Sequence, residues 1–553
     1  MKTAETYEIL ENKVNNNITK IKITKPDGKS VFIEPFVYTY ISADYNEEGY
    51  EKITSDGKCE LRYRYSPDIS GAYTVYEMCG DSVVSEYKFN AEQSGRHGYV
   101  KVSGKNNKYF AYSDETPFLP IGINMAFPKK YQLNDGKEFG LSDKYCYIGL
   151  RQYEAWFKKA SSAGVNVVRI WCGHDYFAPE RGDADKYVYE QFTKLDKIFE
   201  FAHKYGIKLK ITMDQFRYFK YDEKGSYTED LFAKELYSGE RKCMSVSEWL
   251  TDSFWQNKWL DKVNEYAKRY AYDDALFAVE LWNEMNGIGC EWDRCNPQIT
   301  EWNKKMSGEV KKMFPNHMVV NSLGSYDSDI PQEHYEKFCW DRFDFKQIHS
   351  YLDQGTDYRE MRENPIEMLK RACSEQATDT QPLFVAETGA VNNNHSGPFR
   401  FYSSDDDGLI FADCVYTPLF LGCAGCGNIW HWDDRYIEFK NLYHMYKPFV
   451  ELTHDINFIE ERFEVKDYSN EYAYIQALEG QNHSLYYIRN KSASWKNVLR
   501  DLNEPTVIDM LELQVDGTAE SVHIWNDAGT LEQNGNTAII RNIKNGVFVK
   551  VSR

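Results

Sequence analysis

Two glutamates stand where this 553-residue sequence could do chemistry. Glu284 ends the run Ala278-Val-Glu-Leu-Trp-Asn-Glu, and Glu387 lies in Leu383-Phe-Val-Ala-Glu-Thr-Gly. Each closes an apolar stretch of strand character. Two carboxyl groups held close together resist joint ionisation, so one keeps a proton while the other stays charged. That division suits cleavage of a glycosidic bond. The protonated group serves the leaving oxygen, and the ionised one attacks the anomeric carbon at a carboxyl separation of about 5–5.5 Å. Charge reasoning alone does not say which glutamate takes which part. In a chain with 85 Asp and Glu, the plain alternative is a solvated surface acid. The apolar context of both argues against it.

The elements that must position this pair can be counted. Apolar runs begin at Phe118, Val165, Ile207, Ala278, Met318, Phe345, Leu383 and Gly427. Helical patterns such as Tyr153-Glu-Ala-Trp-Phe-Lys-Lys-Ala and Leu195-Asp-Lys-Ile-Phe-Glu-Phe-Ala separate them. Eight strands alternating with helices over some 350 residues predict an α/β fold, a (β/α)8 barrel, whose chemistry sits at the C-terminal strand ends. The runs end on Asn124, Trp171, Asp214, Glu284, Tyr351, Glu387 and Trp432. Glu284 closes the fourth run and Glu387 the seventh, which places them across the mouth from one another.

The flanks differ. Residues 1–96 alternate in short runs, as in Asn17-Ile-Thr-Lys-Ile-Lys-Ile-Thr, and predict an immunoglobulin-like β-sandwich. Residues 97–455 hold the barrel. Residues 456–553 return to strands and predict a second sandwich.

Composition excludes several classes. The formal net charge of −19 is repelled by phosphate backbones, so neither nucleic acid nor an anionic membrane surface is an expected partner. Aromatics make up 16%, which rules out a disordered chain and suits sugar stacking. Leu409–Trp430 contains Asp413, Pro418 and glycines, and is expected to be buried barrel structure instead of a membrane span. Cys423-Ala-Gly-Cys426 lacks a second CxxC, so no zinc site is expected. HExxH, GxGxxG and Walker-type loops are absent, and no cofactor is expected. No signal peptide is visible in MKTAETYEILENKV, and twelve cysteines fit a reducing compartment. Cytoplasmic action is the expectation, or secretion if a leader was removed.

The middle zone resembles the clan A glycoside hydrolases, nearest in pattern to family 5. The resemblance is carried by Leu281-Trp-Asn-Glu284, His349-Ser-Tyr351, Ala386-Glu387 and Trp430-His-Trp432. The whole chain is similar to a bacterial layout with an immunoglobulin-like leader and a small β-sandwich after the barrel. The resemblance implies a retaining β-glycoside hydrolase of the cellulase, mannanase or β-glycosidase kind, acting on an oligosaccharide or polysaccharide. It makes Glu284 the acid/base and Glu387 the nucleophile. It implies that Arg169 holds Glu387 ionised, that Asn283 bonds the sugar 2-hydroxyl, and that His349 and Tyr351 serve the pair, with Tyr351 donating to Glu387. A strand 8 indole should floor the −1 subsite. Trp432, nearer the strand end, is favoured over Trp430. Trp171, His174, Asp175 and Asp214 are further candidates to line the pocket. Two positions depart from the family pattern: Met285 follows Glu284 where proline is frequent, and Asp214-Gln-Phe stands where a histidine is usual. The stretch from Asp214 to Ala278 is a candidate wall at one end of the cleft. The competing expectation is a carbohydrate-binding or scaffolding protein with an inactive barrel.

Overall fold

The computed structural model describes residues 2–132, 145–180, 184–215, 236–243, 245–288, 292–326, 329–526 and 529–553. Seven barrel strands run in chain order: β1 (Gly122–Asn124), β2 (Val167–Trp171), β3 (Lys208–Gln215), β4 (Leu276–Asn283), β5 (Met318–Val320), β6 (Lys346–Asp353) and β7 (Leu383–Val391). β1 to β5 pair in parallel in that order, and β6 pairs in parallel with β7. β5 meets β6 through single bonds: Asp344 N–H donates to Val319 C=O (3.0 Å), and Tyr326 N–H to His349 C=O (2.7 Å).

The eighth position departs from expectation. Instead of a strand, Ile429 makes isolated parallel bridges to Ile123 of β1 and Thr388 of β7. The chain then turns at once, with Trp432 N–H donating to Trp430 C=O at 3.0 Å.

The strands are buried on both faces, as expected where helices cover a parallel sheet. Helix α1 (Leu150–Ser162) turns Leu150, Tyr153, Trp156, Phe157 and Ala160 inward, a helical spacing that gives one apolar stripe. Helix α2 (Tyr189–Tyr205) ends at Gly206 in the left-handed region (φ 67°), a conformation that a side chain disfavours. Helix α3 (Ser253–Tyr270) starts where the Asp252 carboxylate accepts Phe254 N–H at 2.8 Å. Leu409–Val415 and Thr417–Phe420 are short helices buried throughout. Among the described residues, no helix is long and apolar enough to cross a membrane.

Residues 2–92 form a five-stranded sheet, a three-stranded sheet and a hairpin, with a core around Ile21, Ile23, Tyr63 and Tyr73. Pro26-Asp-Gly28 turns between strands Lys20–Thr24 and Ser30–Ile33, with Gly28 at φ 82°. Residues 464–552 form a five-stranded and a three-stranded sheet that share a second core around Ile488, Ile540 and Val549. The C-terminal sheets dock firmly on the barrel. Arg489 and Asp413 form a buried ion pair at 2.7 Å, and Phe548 packs on Tyr416 and Phe420.

The floor of the barrel is closed by one ring. Phe110, on the short strand Phe110–Tyr112, meets Phe277, Phe345 and Phe384 edge-on at 5.3, 5.4 and 6.5 Å between centroids. Phe110→Ala opens a cavity beneath three strands and is expected to cost about 3–5 kcal/mol of stability. Urea unfolding at 25 °C measures it; a loss under 1 kcal/mol would mean that the floor collapses without this ring.

Candidate active site

The site is built on a charged layer inside the barrel. Arg169 of β2 is fully buried, and four groups take up its guanidinium. Nε donates to Glu280 Oε2 (2.7 Å), and Nη2 donates to Glu280 Oε1 (2.8 Å) and Asn283 Oδ1 (2.6 Å). Nη1 donates to Glu387 Oε1 and, at 3.3 Å, to Asn124 Oδ1. Glu280, fully buried on β4, also accepts from Thr212 Oγ1 and Gln347 Nε2, both at 2.8 Å. Burial by itself raises the Glu280 carboxyl, but Arg169 and Lys210 outweigh it and hold the group well below the usual carboxylate range. Burial pushes the Lys210 ammonium down to about 7.

Glu387 is aimed by an irregularity of its strand. The β6–β7 register shifts between the pairs Ile348–Val385 and His349–Glu387, so Ala386 is an extra residue. A bulge of this kind turns the next side chain. The Ala386 carbonyl accepts Asn124 Nδ2–H at 3.0 Å, which stabilises the bulge. Tyr351 on β6 donates its hydroxyl to Glu387 Oε2 at 2.6 Å. With Arg169 on the other oxygen, the carboxylate is held from both sides, and its side chain is only 4% exposed.

Glu284 sits differently. Its backbone is left-handed (φ 51°, ψ 56°), an uncommon state for a residue with a side chain. Ser322 holds that turn: its Oγ accepts Glu284 N–H (2.9 Å), and its carbonyl accepts Met285 N–H (3.0 Å). The Glu284 side chain is 20% exposed, and its Oε1 lies 2.8 Å from His349 Nδ1. Burial pushes the His349 imidazole down to about 4, so it is uncharged at neutral pH. An oxygen of Glu284, a ring nitrogen of His349 and an oxygen of Glu387 all lie within 4.8 Å of one another. That spacing matches the close carboxyl pair of a double displacement and is too short for the gap that an inverting enzyme keeps for water.

Both glutamates face a cavity of about 520 Å³. Trp171, Asn283, Tyr351 and Trp430 line it with them. Of the twelve residues singled out from the sequence, Arg169 and His349 lie behind the cavity wall, in contact with the glutamates.

Four candidates fall elsewhere. Trp432 is not the floor; its ring is 2% exposed and packs among Trp156, Phe127 and Trp430. The turn after Trp430 breaks the two-residue alternation, and the two indoles stand at 82°. Trp430 takes the cavity face, 4.9 Å from Trp171. Asp214 does not line the cavity; it is buried and bonded to Lys262 Nζ (2.8 Å) and Trp259 Nε1 (2.7 Å), an ion pair that ties β3 to α3. Nor are His174 and Asp175 among the lining residues: His174 stacks on Phe127 at 4.2 Å. The proposed end wall between Asp214 and Ala278 lies partly outside the described residues, at 216–235.

Sequence reasoning missed a further part of the lining, His395, Pro398, His431 and Arg435, from the segments after β7 and Ile429. Their signal is weak because loop residues follow no period. Glu280 was also missed, although it stands four residues before Glu284 in the quoted run and a lone acid inside an apolar strand calls for a buried partner.

A parallel barrel with two close carboxylates, one just after β4 and one within β7, defines the class of clan A glycoside hydrolases. The chain belongs to the cellulase family, glycosyl hydrolase family 5, whose profile matches residues 133–410, half of its length. It is 26% identical to mannan endo-1,4-beta-mannosidase F of Aspergillus clavatus over 318 residues, 50% of this chain and 67% of that one. A relative from Aspergillus flavus is 23% identical over 334 residues, 56% of this chain and 64% of its own length, so the chain spans less than two thirds of that protein. Two solved structures from Bacteroides vulgatus ATCC 8482 share the fold. One aligns over 100% of both chains at 12% identity with TM-score 0.59. The other, a glycoside hydrolase family 5, aligns over 82% of this chain and 94% of that one at 12% identity with TM-score 0.51.

Buried histidines make a pH prediction. His349 and His317 are pushed down to about 4 by burial, so between pH 6.5 and 4 the unfolded chain binds protons that the native chain does not. Stability therefore falls as the pH is lowered through that window. His349→Gln is expected to reduce the slope of unfolding free energy against pH by one proton there, as measured by denaturant titration at several pH values. An unchanged slope would show that His349 is protonated in the native state.

Proposed function

We propose that this protein hydrolyses β-1,4-linked mannan-type polysaccharide or its oligosaccharides with retention of anomeric configuration. The observation that carries the proposal is the pair Glu284 and Glu387, with oxygens within 4.8 Å facing one cavity from unlike surroundings. Glu387, held by Arg169 on one oxygen and Tyr351 on the other, is the nucleophile: the two donors fix the carboxyl group toward the cavity for attack. Glu284, more exposed and beside an uncharged imidazole, is the acid/base, with access to the leaving group and then to water. In the first step Glu387 Oε2 bonds the anomeric carbon as the glycosidic C–O bond breaks, and Glu284 gives its proton to the departing oxygen. In the second, Glu284 takes a proton from water, the water oxygen bonds the same carbon, and the Glu387 ester breaks. Asn283 is the donor for the sugar 2-hydroxyl, and Trp430 with Trp171 supplies apolar faces for the ring.

The mannan assignment is supported by the names of the fungal relatives. We assign residues 97–455 to catalysis, and 1–96 and 456–553 to ancillary β-domains. The buried thiols of Cys172, Cys373, Cys414, Cys423 and Cys426 are free, which supports a reducing compartment.

The test is hydrolysis of β-1,4-mannan, β-1,4-glucan and their oligosaccharides alongside p-nitrophenyl β-glycosides. Glu387→Ala and Glu284→Ala should each lose about 10³-fold or more in kcat/KM, roughly 4 kcal/mol of transition-state stabilisation. The first product, followed by ¹H NMR, should be the β-anomer. An α-product, or a variant that retains full activity, sinks the mechanism. A glycan that raises the melting temperature without being cleaved would leave only binding.

A further inference from the structure

The cavity that the two glutamates face is also lined by a histidine in an unusual setting. His431 is 4% exposed, follows Trp430 in the chain and lines the same cavity. Tyr402 approaches it from behind. The Tyr402 hydroxyl oxygen accepts Ala390 N–H at 2.6 Å, and the same oxygen lies 3.2 Å from His431 Nδ1. A phenol has one proton to give. The Ala390 amide can only donate, so the hydroxyl proton is left for Nδ1. An imidazole that accepts at Nδ1 carries its own proton on Nε2.

We propose that His431 binds substrate directly, its tautomer set by Tyr402 so that Nε2–H is offered as a donor to a hydroxyl oxygen of the bound sugar. The proposal rests on the hydrolase reading for the identity of its ligand.

Three further observations support it. No described residue bonds Nε2, and that nitrogen is not among the buried unpartnered atoms, so it is reachable from the cavity that His431 lines. A sugar hydroxyl supplies the acceptor. Burial, reinforced by the charges of Arg435 and His395, pushes the imidazole down to about 3, so the ring stays uncharged and the tautomer is the variable that matters. Lastly, β7 makes room for the pair. Gly389, two residues after Glu387, has φ 142°, and a Cβ there would stand 2.9 Å from the Tyr402 hydroxyl and 3.7 Å from His431 Nδ1. The donor is therefore referenced to the strand that carries Glu387, through Gly389 and Ala390. An Nε2–H fixed against the nucleophile in this way selects for the configuration of a sugar hydroxyl, because an epimer would leave it unpaired.

Two measurements on the full chain test this. Long-range ¹H–¹⁵N NMR of the histidine rings at pH 7 should show His431 as the Nε2–H tautomer. In Tyr402→Phe that signal should move toward a mixture of tautomers. In kinetics on the best-cleaved oligosaccharide, His431→Phe keeps an aromatic ring and removes the donor; kcat/KM should fall about tenfold or more. Tyr402→Phe should fall less, and His431→Gln, which returns an N–H at a similar reach, should recover part of the loss. A His431 found as the Nδ1–H tautomer or as imidazolium overturns the proposal. So does a His431→Phe enzyme within twofold of the parent, while the loss in Glu387→Ala keeps the hydrolase reading intact. If nothing is cleaved, the Nε2–H resonance is followed on adding β-1,4-mannotetraose: a shift supports the donor role and an unmoved signal rejects it.

Discussion

The rest of the structure depends on a guanidinium with no access to water. Arg169 lies at the centre of the barrel and cannot be neutralised from outside, so the surrounding strands must supply the opposite charge. β4 contributes Glu280 in a bidentate grip, and β7 contributes Glu387 on the remaining face. A charge so buried is costly unless its partners are complete, and loss of one partner typically costs 3–5 kcal/mol. Glu387 thus belongs to the charge balance of the core as well as to the cavity surface. Its position is set by the same contacts that hold β2, β4 and β7 together.

That constraint explains the asymmetry between the two carboxyl groups. Glu387 is bonded on both oxygens, and nine-tenths or more of its side chain is covered. Glu284 stands outside the charged layer, on a left-handed turn propped by Ser322, and meets an uncharged imidazole. The backbone departures coincide with the chemistry. Ala386 bulges one residue before Glu387, and Glu284 itself carries the positive φ. Strain of this kind persists only where the neighbours over-determine it, and here Asn124 and Ser322 do so.

The flanking sheets act on the site only through packing. Arg489 reaches Asp413 in a buried pair, and Trp495 donates its indole N–H to the Glu363 carbonyl at 3.0 Å. These contacts brace the helices behind β6 and β7, the two strands that carry Tyr351 and Glu387. Rigid support of this sort keeps the carboxyl spacing within the narrow range that double displacement tolerates.

The apolar runs and their polar ends were enough to give the strand count up to the seventh, the barrel class, and the placing of Glu284 and Glu387 with the fourth and seventh strands, because period and burial leave a direct mark on residue type; β7 nonetheless runs on past Glu387 to Val391. Arg169, Asn283 and Tyr351 were legible through resemblance; Arg169 and Tyr351 both contact Glu387, and Asn283 lines the cavity. What the chain could not convey was direction. Trp430 and Trp432 are equivalent under a two-residue alternation, and only the turn between them sends one indole to the cavity and the other to the core. Asp214 stands at a strand end like the glutamates, yet Lys262 and Trp259, some 45 residues away in sequence, turn it into an internal ion pair. His431 and Glu280 gain their importance from Tyr402 and Arg169, partners that no local pattern connects to them. Sequence by itself determined which segments form the barrel strands and which polar residues they carry. Tertiary structure alone decided which of them meet, since a contact between distant segments depends on how bulges, turns and buried charges orient side chains and not on where those residues lie along the chain.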